Sequence, residues 1–163
     1  MKKIFGVNSR VDHVAIAVVN MEEALFLYRD IFGFEVQQQR EVEGAATGML
    51  SAELKAGGFS IVLVQGTSPE SQVCRYIEKY GPGVQHLAVE VDNVEQLSDR
   101  LRASGVKFAT DLIRGSNLVQ IFTQRDRNSG MMFEFIERTD EFAAFEAGNI
   151  QKLFDQLEAS ESY

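Results

Sequence analysis

Val11-Asp12-His13-Val14-Ala15-Ile16-Ala17-Val18 and Val84-Gln85-His86-Leu87-Ala88-Val89-Glu90-Val91 are two versions of one strand. An offset of 73 positions carries His13 onto His86, Ala15 onto Ala88 and Val18 onto Val91. It also carries Asn20 onto Asn93 and Glu22 onto Glu95, so the repeat extends past the strand. A period this long is an internal duplication of a whole module and not a solenoid unit.

Working outward, each strand leads into a helix. Asn20 and Asn93 are placed as N-caps, with Glu23 and Gln96 at the third helical position completing capping boxes. Met21, Ala24, Leu25, Tyr28 and Ile31 then recur at helical spacing, as do Val94, Leu97 and Leu101. Gly33 and Gly105 are the stops. Three strand-like stretches follow each helix: 34–40, 50–55 and 59–64 in the first half, 106–109, 118–123 and 131–138 in the second. The expected fold is therefore α+β, with paired βαβββ modules and a C-terminal helix.

The expected layout is a single domain. Module one occupies about 10–65, a linker with a helix from Ser71 to Tyr80 occupies 66–83, and module two occupies about 84–138. The last helix is expected over 149–160, with Asn149 as its cap and Leu153, Phe154 and Leu157 as its buried face.

Composition narrows the functional classes. A chain of 163 residues can bury a sizeable core, and a formal charge of −8 argues against nucleic acid as a partner. Cys74 is the only cysteine, which excludes an intrachain disulfide; it reads as an inert buried thiol. Met1-Lys2-Lys3 is followed by too few apolar residues for a signal peptide, and no stretch reaches membrane-spanning length. A cytoplasmic protein is expected.

The chemistry rests on the chain's only two histidines, which occupy equivalent positions in the repeat. Alternation puts Val11, His13, Ala15 and Ala17 on one face of the first strand, and Val84, His86 and Ala88 on the matching face of the second. The small alanines leave room for a ligand, while Ile16, Val18, Val89 and Val91 provide bulk on the other face. Alternation also directs Gln85 away from His86. Glu134, inside Met131-Met132-Phe133-Glu134-Phe135-Ile136, is the third candidate, because a carboxylate in so apolar a strand needs strong compensation such as a cation. Two imidazoles and one carboxylate make a facial triad that suits Fe(II) and leaves positions open for substrate and oxygen. Moving Glu134 back by one repeat lands on Ile61, and every residue from Ile61 to Val64 is apolar, so module one offers no fourth ligand. Ser51, Gln65, Gln72, Gln120 and Phe122 are further candidates for lining a cavity.

The duplicated order with these ligands resembles the vicinal oxygen chelate, or glyoxalase-like, superfamily. Within it, the chain is similar to the C-terminal catalytic half of 4-hydroxyphenylpyruvate dioxygenase and hydroxymandelate synthase. The similarity is carried by Val11-Asp12-His13-Val14, Leu50-Ser51-Ala52, Gly81-Pro82-Gly83-Val84-Gln85-His86, Leu118-Val119-Gln120-Ile121-Phe122-Thr123, Phe133-Glu134-Phe135-Ile136-Glu137-Arg138, and the tail from Phe145 through Gly148-Asn149-Ile150 to Leu153-Phe154. The resemblance implies His13, His86 and Glu134 as iron ligands, and Ser51, Gln65, Gln72 and Gln120 as polar substrate-pocket residues. Phe122 would be an aromatic wall, and the helix from Ile150 a gate. Gln65 stands where the family usually has Asn, and Ile150 replaces a second aromatic wall.

The function so implied is a non-haem Fe(II)-dependent dioxygenase acting on a 2-oxo acid, with that acid and dioxygen as its small-molecule partners and a homodimer as the superfamily's precedent. A metal-dependent epimerase or lyase using Co(II), Zn(II) or Mn(II) is the alternative, with Glu53 as its strand carboxylate. A binding protein that sequesters a small molecule is the third, and it would have no need of three metal ligands.

Overall fold

A computed structural model describes residues 5–6, 9–44, 46–139 and 147–160. Phe145 and Glu146 of the tail motif lie outside them. The chain forms two compact units, one of His13–His86 and one of Leu87–Ser162 with Met1–Asp12. Both are α+β, and each carries the expected module.

In the first, β1 (Arg10–Ala17) leads to α1 (Met21–Leu25), then β2 (Glu35–Glu43), β3 (Gly48–Lys55) and β4 (Ser60–Gly66). The strands lie in the order β2-β3-β4-β1, with β1 parallel to β4 and the other pairs antiparallel. After α2 (Gln72–Tyr80), the second module runs β5 (Gly83–Glu90), α3 (Val94–Ala103), β6 (Ile113–Arg114), β7 (Leu118–Phe122) and β8 (Phe133–Arg138). Its order, β5-β8-β7-β6, repeats that of the first. The chain closes with α4 (Ala147–Ala159).

The two helices start alike. Asn20 accepts the Glu23 N–H at 3.0 Å and Asn93 accepts the Gln96 N–H at 2.7 Å, as N-caps do. A residue at the end of each module's last strand satisfies a second orphan donor: Gln65 Oε1 takes the Met21 N–H and Glu137 Oε2 takes the Val94 N–H. Each helix covers one face of its own strands. Met21, Ala24 and Leu25 pack on Ala52, Leu54, Ile61 and Leu63, with Ile16 and Val18 at the margin. Val94, Leu97 and Leu101 pack on Ile121 and Phe135, with Val89 beside them. The bulky strand positions thus face the helices, and the histidines and alanines face the other way.

Four local expectations are corrected. Beyond Leu25 the backbone widens into a π-helical segment, Phe26–Ile31, and the added residue per turn rotates later positions off the core stripe. Ile31 is consequently exposed, with Phe26 and Phe32. The strand expected over 106–109 is reduced to one bridge, Phe108–Thr123, because the Phe108 ring is held in the α3 core under the Arg102 guanidinium; the short strand β6 comes later. Asn149 does not cap α4, which begins two residues earlier; its side chain is buried against Gly115, where a Cβ would lie 2.3 Å from its Oδ1. Cys74 is half-buried, since it sits near the start of α2, where Ser71 Oγ accepts its N–H at 3.1 Å. Phe154 and Leu157 form the buried face of α4, with Leu153 at its edge.

Among the described residues, no helix is long and apolar enough to cross a membrane.

Candidate metal centre

β1 buries His13, Ala15 and Ala17 and leaves the intervening positions half-buried, as period-two alternation requires. β5 buries His86 and Ala88 in the same relation. The two rings meet edge to face, with Nε2 of His13 3.2 Å from Nε2 of His86. Two nitrogens each about 2.1 Å from one ion are separated by about 3.0–3.4 Å in octahedral or tetrahedral geometry. The observed separation falls in that range, and it also suits a single hydrogen bond between the rings.

Glu134 comes from β8, which runs parallel to β5 with Ala88 opposite Glu134. Register partners share a face of the sheet, so Glu134 projects on the side that carries Ala88 and, two residues earlier, His86. Its side chain is 1% exposed. One ligand atom from each of His13, His86 and Glu134 lies within 4.8 Å of the others. This donor set, two neutral imidazoles and one carboxylate, fits a divalent transition metal.

The register identifies the module-one counterpart of Glu134. Ala15, the equivalent of Ala88, faces Val62 on β4. The repeat slips by one residue here, so Val62 stands in the carboxylate's place while Ile61 turns into the α1 core. Module one therefore adds no fourth protein ligand at this position.

Alternation along β5 directs Gln85 away from His86. In the structure it is buried, and its Oε1 is a hydrogen-bond partner of His86 Nδ1. An amide oxygen there accepts the Nδ1–H and fixes the tautomer whose Nε2 lone pair is available to a metal, the usual support of a ligating imidazole. Gln85 and His86 are consecutive residues of β5, and both are buried. Position beside a ligand histidine was the available signal.

Next to His13, Asp12 accepts two hydrogen bonds from Arg138, at 2.7 and 3.0 Å. Both side chains are about nine-tenths buried, so this bidentate pair anchors the backbone beside His13.

The remaining candidates separate. Phe122 pairs with Glu134 and Gln120 with Ile136, which places both on the Glu134 face of β7. Gln120 is 1% exposed, and among the described residues its Oε1 has no hydrogen-bond partner. Ser51 pairs with Val64, itself opposite Ala17, so it lies on the His13 face. Gln72 opens α2, buried, and its Oε1 likewise has no hydrogen-bond partner among the described residues. Gln65 is not on the His13 face: alternation turns it toward α1, where its oxygen is taken by Met21.

Residues 10–135 match the family described as the Glyoxalase/Bleomycin resistance protein/Dioxygenase superfamily, and the chain belongs to it. It is 27% identical to a 4-hydroxyphenylpyruvate dioxygenase of Legionella pneumophila, over 91% of this chain and 53% of that protein. A mutant 4-hydroxymandelate synthase from Streptomyces coelicolor superposes with a TM-score of 0.80 at 23% identity, covering 96% of this chain and 55% of that one. The methylmalonyl-CoA epimerase of Mycobacterium tuberculosis gives 0.68 at 27% identity, covering 83% and 91%. The chain thus spans about half the length of the curated relatives it matches first.

Proposed function

We propose that the protein is a non-haem Fe(II)-dependent dioxygenase that acts on a 2-oxo acid, with His13, His86 and Glu134 as the metal ligands. The observation that carries the reading is the donor set: ligand atoms of two imidazoles and one carboxylate within 4.8 Å. With Val62 opposite Ala15, module one leaves coordination positions for small molecules. Iron so held supplies a Lewis acid for the 2-oxo acid and a site for oxygen activation.

The chain's own residues do the rest. Gln85 holds the His86 ring in its ligating tautomer, and Ala15 and Ala88 keep volume clear beside the imidazoles. Phe122 presents an apolar wall on the Glu134 face and helps exclude water. Among the described residues the buried oxygen of Gln120, on the Glu134 face, has no donor, and a hydroxyl on the organic part of the substrate would provide one.

A second reading, a metal-dependent epimerase or lyase, is favoured by one feature: Glu53 pairs with Val62 and so lies on the His13 face as a carboxylate able to take a proton. Oxygen uptake separates the two. Anaerobically Fe(II)-reconstituted protein is offered aromatic and aliphatic 2-oxo acids, with His86→Ala as control. Uptake with carbon dioxide release, lost in the variant, is the result expected. Tight stoichiometric metal binding with no uptake on any substrate would overturn the dioxygenase in favour of the second reading.

A further inference from the structure

The His13 face of the first unit carries a polar group that the metal chemistry does not use. Register places it row by row. Ala15, Val62, Glu53 and Gln38 form one row across β1, β4, β3 and β2, and Ala17, Val64, Ser51 and Arg40 form the next. Arg40 and Gln38 project from β2 on the same side and are joined by a hydrogen bond from the guanidinium to the Gln38 amide oxygen. Glu53 is the carboxylate whose charge Arg40 feels. The opposite face of these strands is filled by the α1 core, so Arg40 lies on the His13 face, where it is half-buried.

We propose that Arg40, supported by Gln38 and Ser51, determines specificity by binding a second carboxylate at the end of the substrate remote from the metal, which makes the substrate a 2-oxo dicarboxylic acid. This deepens the 2-oxo acid reading and rests on it. A guanidinium presents its donors in a planar fork that matches a carboxylate, which an amide or hydroxyl cannot replace. Burial pulls Arg40 below its ordinary pKa, and the charge of Glu53 offsets that only in part, so an anion arriving beside the guanidinium restores what solvent no longer supplies. β2 lies three strand spacings from β1, roughly 14 Å of sheet. The group that Arg40 reaches is therefore the far end of an elongated molecule, not the end that meets the imidazoles.

The test is calorimetric binding to Fe(II)-loaded protein without oxygen, comparing 2-oxosuberate with 2-oxooctanoate, equal in length and differing only in the terminal carboxylate. The dicarboxylate should bind roughly 10-fold tighter, with a preference that weakens as salt rises. Arg40→Met should remove the preference and leave the binding of 2-oxooctanoate unchanged. Arg40→Gln, which keeps a polar side chain on β2, should do the same and stands in if the methionine variant fails to unfold cooperatively. Equal affinity of the two acids in the wild type, or a preference that survives either substitution, overturns the proposal. Suberate, which has no keto group, is titrated into metal-free protein as a separate arm. Arg40-dependent binding of suberate with no oxygen uptake on any 2-oxo acid would retain the anion site and remove the dioxygenase.

Discussion

Ala88 stands directly across from Glu134 in the parallel ladder between β5 and β8, and this pairing turns a sequence repeat into an asymmetric site. The equivalent pair in module one is Ala15 with Val62, so the duplication kept the histidine on both copies and a carboxylate on one. Each alanine is fully buried, two residues along the strand from its histidine.

Glu134→Gln keeps the volume and removes the charge. Metal affinity should fall by at least about 10²-fold, because the amide is a poor ligand and the ion loses its only anionic partner in the set. Competition against a chromogenic chelator measures it, and an affinity within threefold of wild type would remove Glu134 from the ligand set.

Metal removal should also be visible in stability. A ligand present at about 100 times its Kd stabilises the folded state by roughly 2.7 kcal/mol. Excess Fe(II) or Co(II) should therefore raise the thermal midpoint of the wild type under anaerobic conditions, and EDTA should reverse the gain. In His13→Ala the midpoint should not respond to either.

Gln85→Leu deletes the acceptor for His86 Nδ1 while keeping a similar volume. Loss of such a supporting partner typically costs 10–100-fold in metal affinity. Rescue by Gln85→Glu, which restores an acceptor, would distinguish orientation of the ring from general packing. A Leu variant that binds metal as tightly as wild type would show that the tautomer is set elsewhere.

Arg138→Met removes the guanidinium from its buried pair with the Asp12 carboxylate. Breaking a buried pair from one side costs about 3–5 kcal/mol. Denaturant unfolding should show that loss, and Asp12→Leu combined with Arg138→Met should recover much of it. A single-variant loss under about 1 kcal/mol would contradict the anchoring role.

Gly115→Ala places a methyl group 2.3 Å from Asn149 Oδ1, at a buried contact between the end of β6 and α4. Overpacking of this kind costs about 1–3 kcal/mol. Asn149→Ala in the same chain should relieve it, and additive losses in the double variant would show that the two positions do not touch.

Local sequence signals are enough to specify the two modules and to nominate their metal-binding side chains. Period-two strands, Asn caps and glycine stops are local signals, and the packing of each helix on its own module followed them, as Ile16, Val18, Val89 and Val91 show. The two-histidine repeat and a carboxylate stranded among apolar residues were enough to nominate His13, His86 and Glu134, since a buried charge demands a partner wherever it lies. Tertiary structure decided what alternation and propensity cannot. The register slip that puts Val62 opposite Ala15 arises from how β4 and β8 pair, not from the spacing of the repeat. Gln85 bonds the His86 ring although alternation directs it elsewhere, and the fold buries both side chains. Gln65 leaves the pocket set because the first N–H of α1 needs an acceptor, just as Glu137 answers the same need at α3. Arg40 owes its place on the His13 face to three successive strand pairings, each of which only the folded chain fixes.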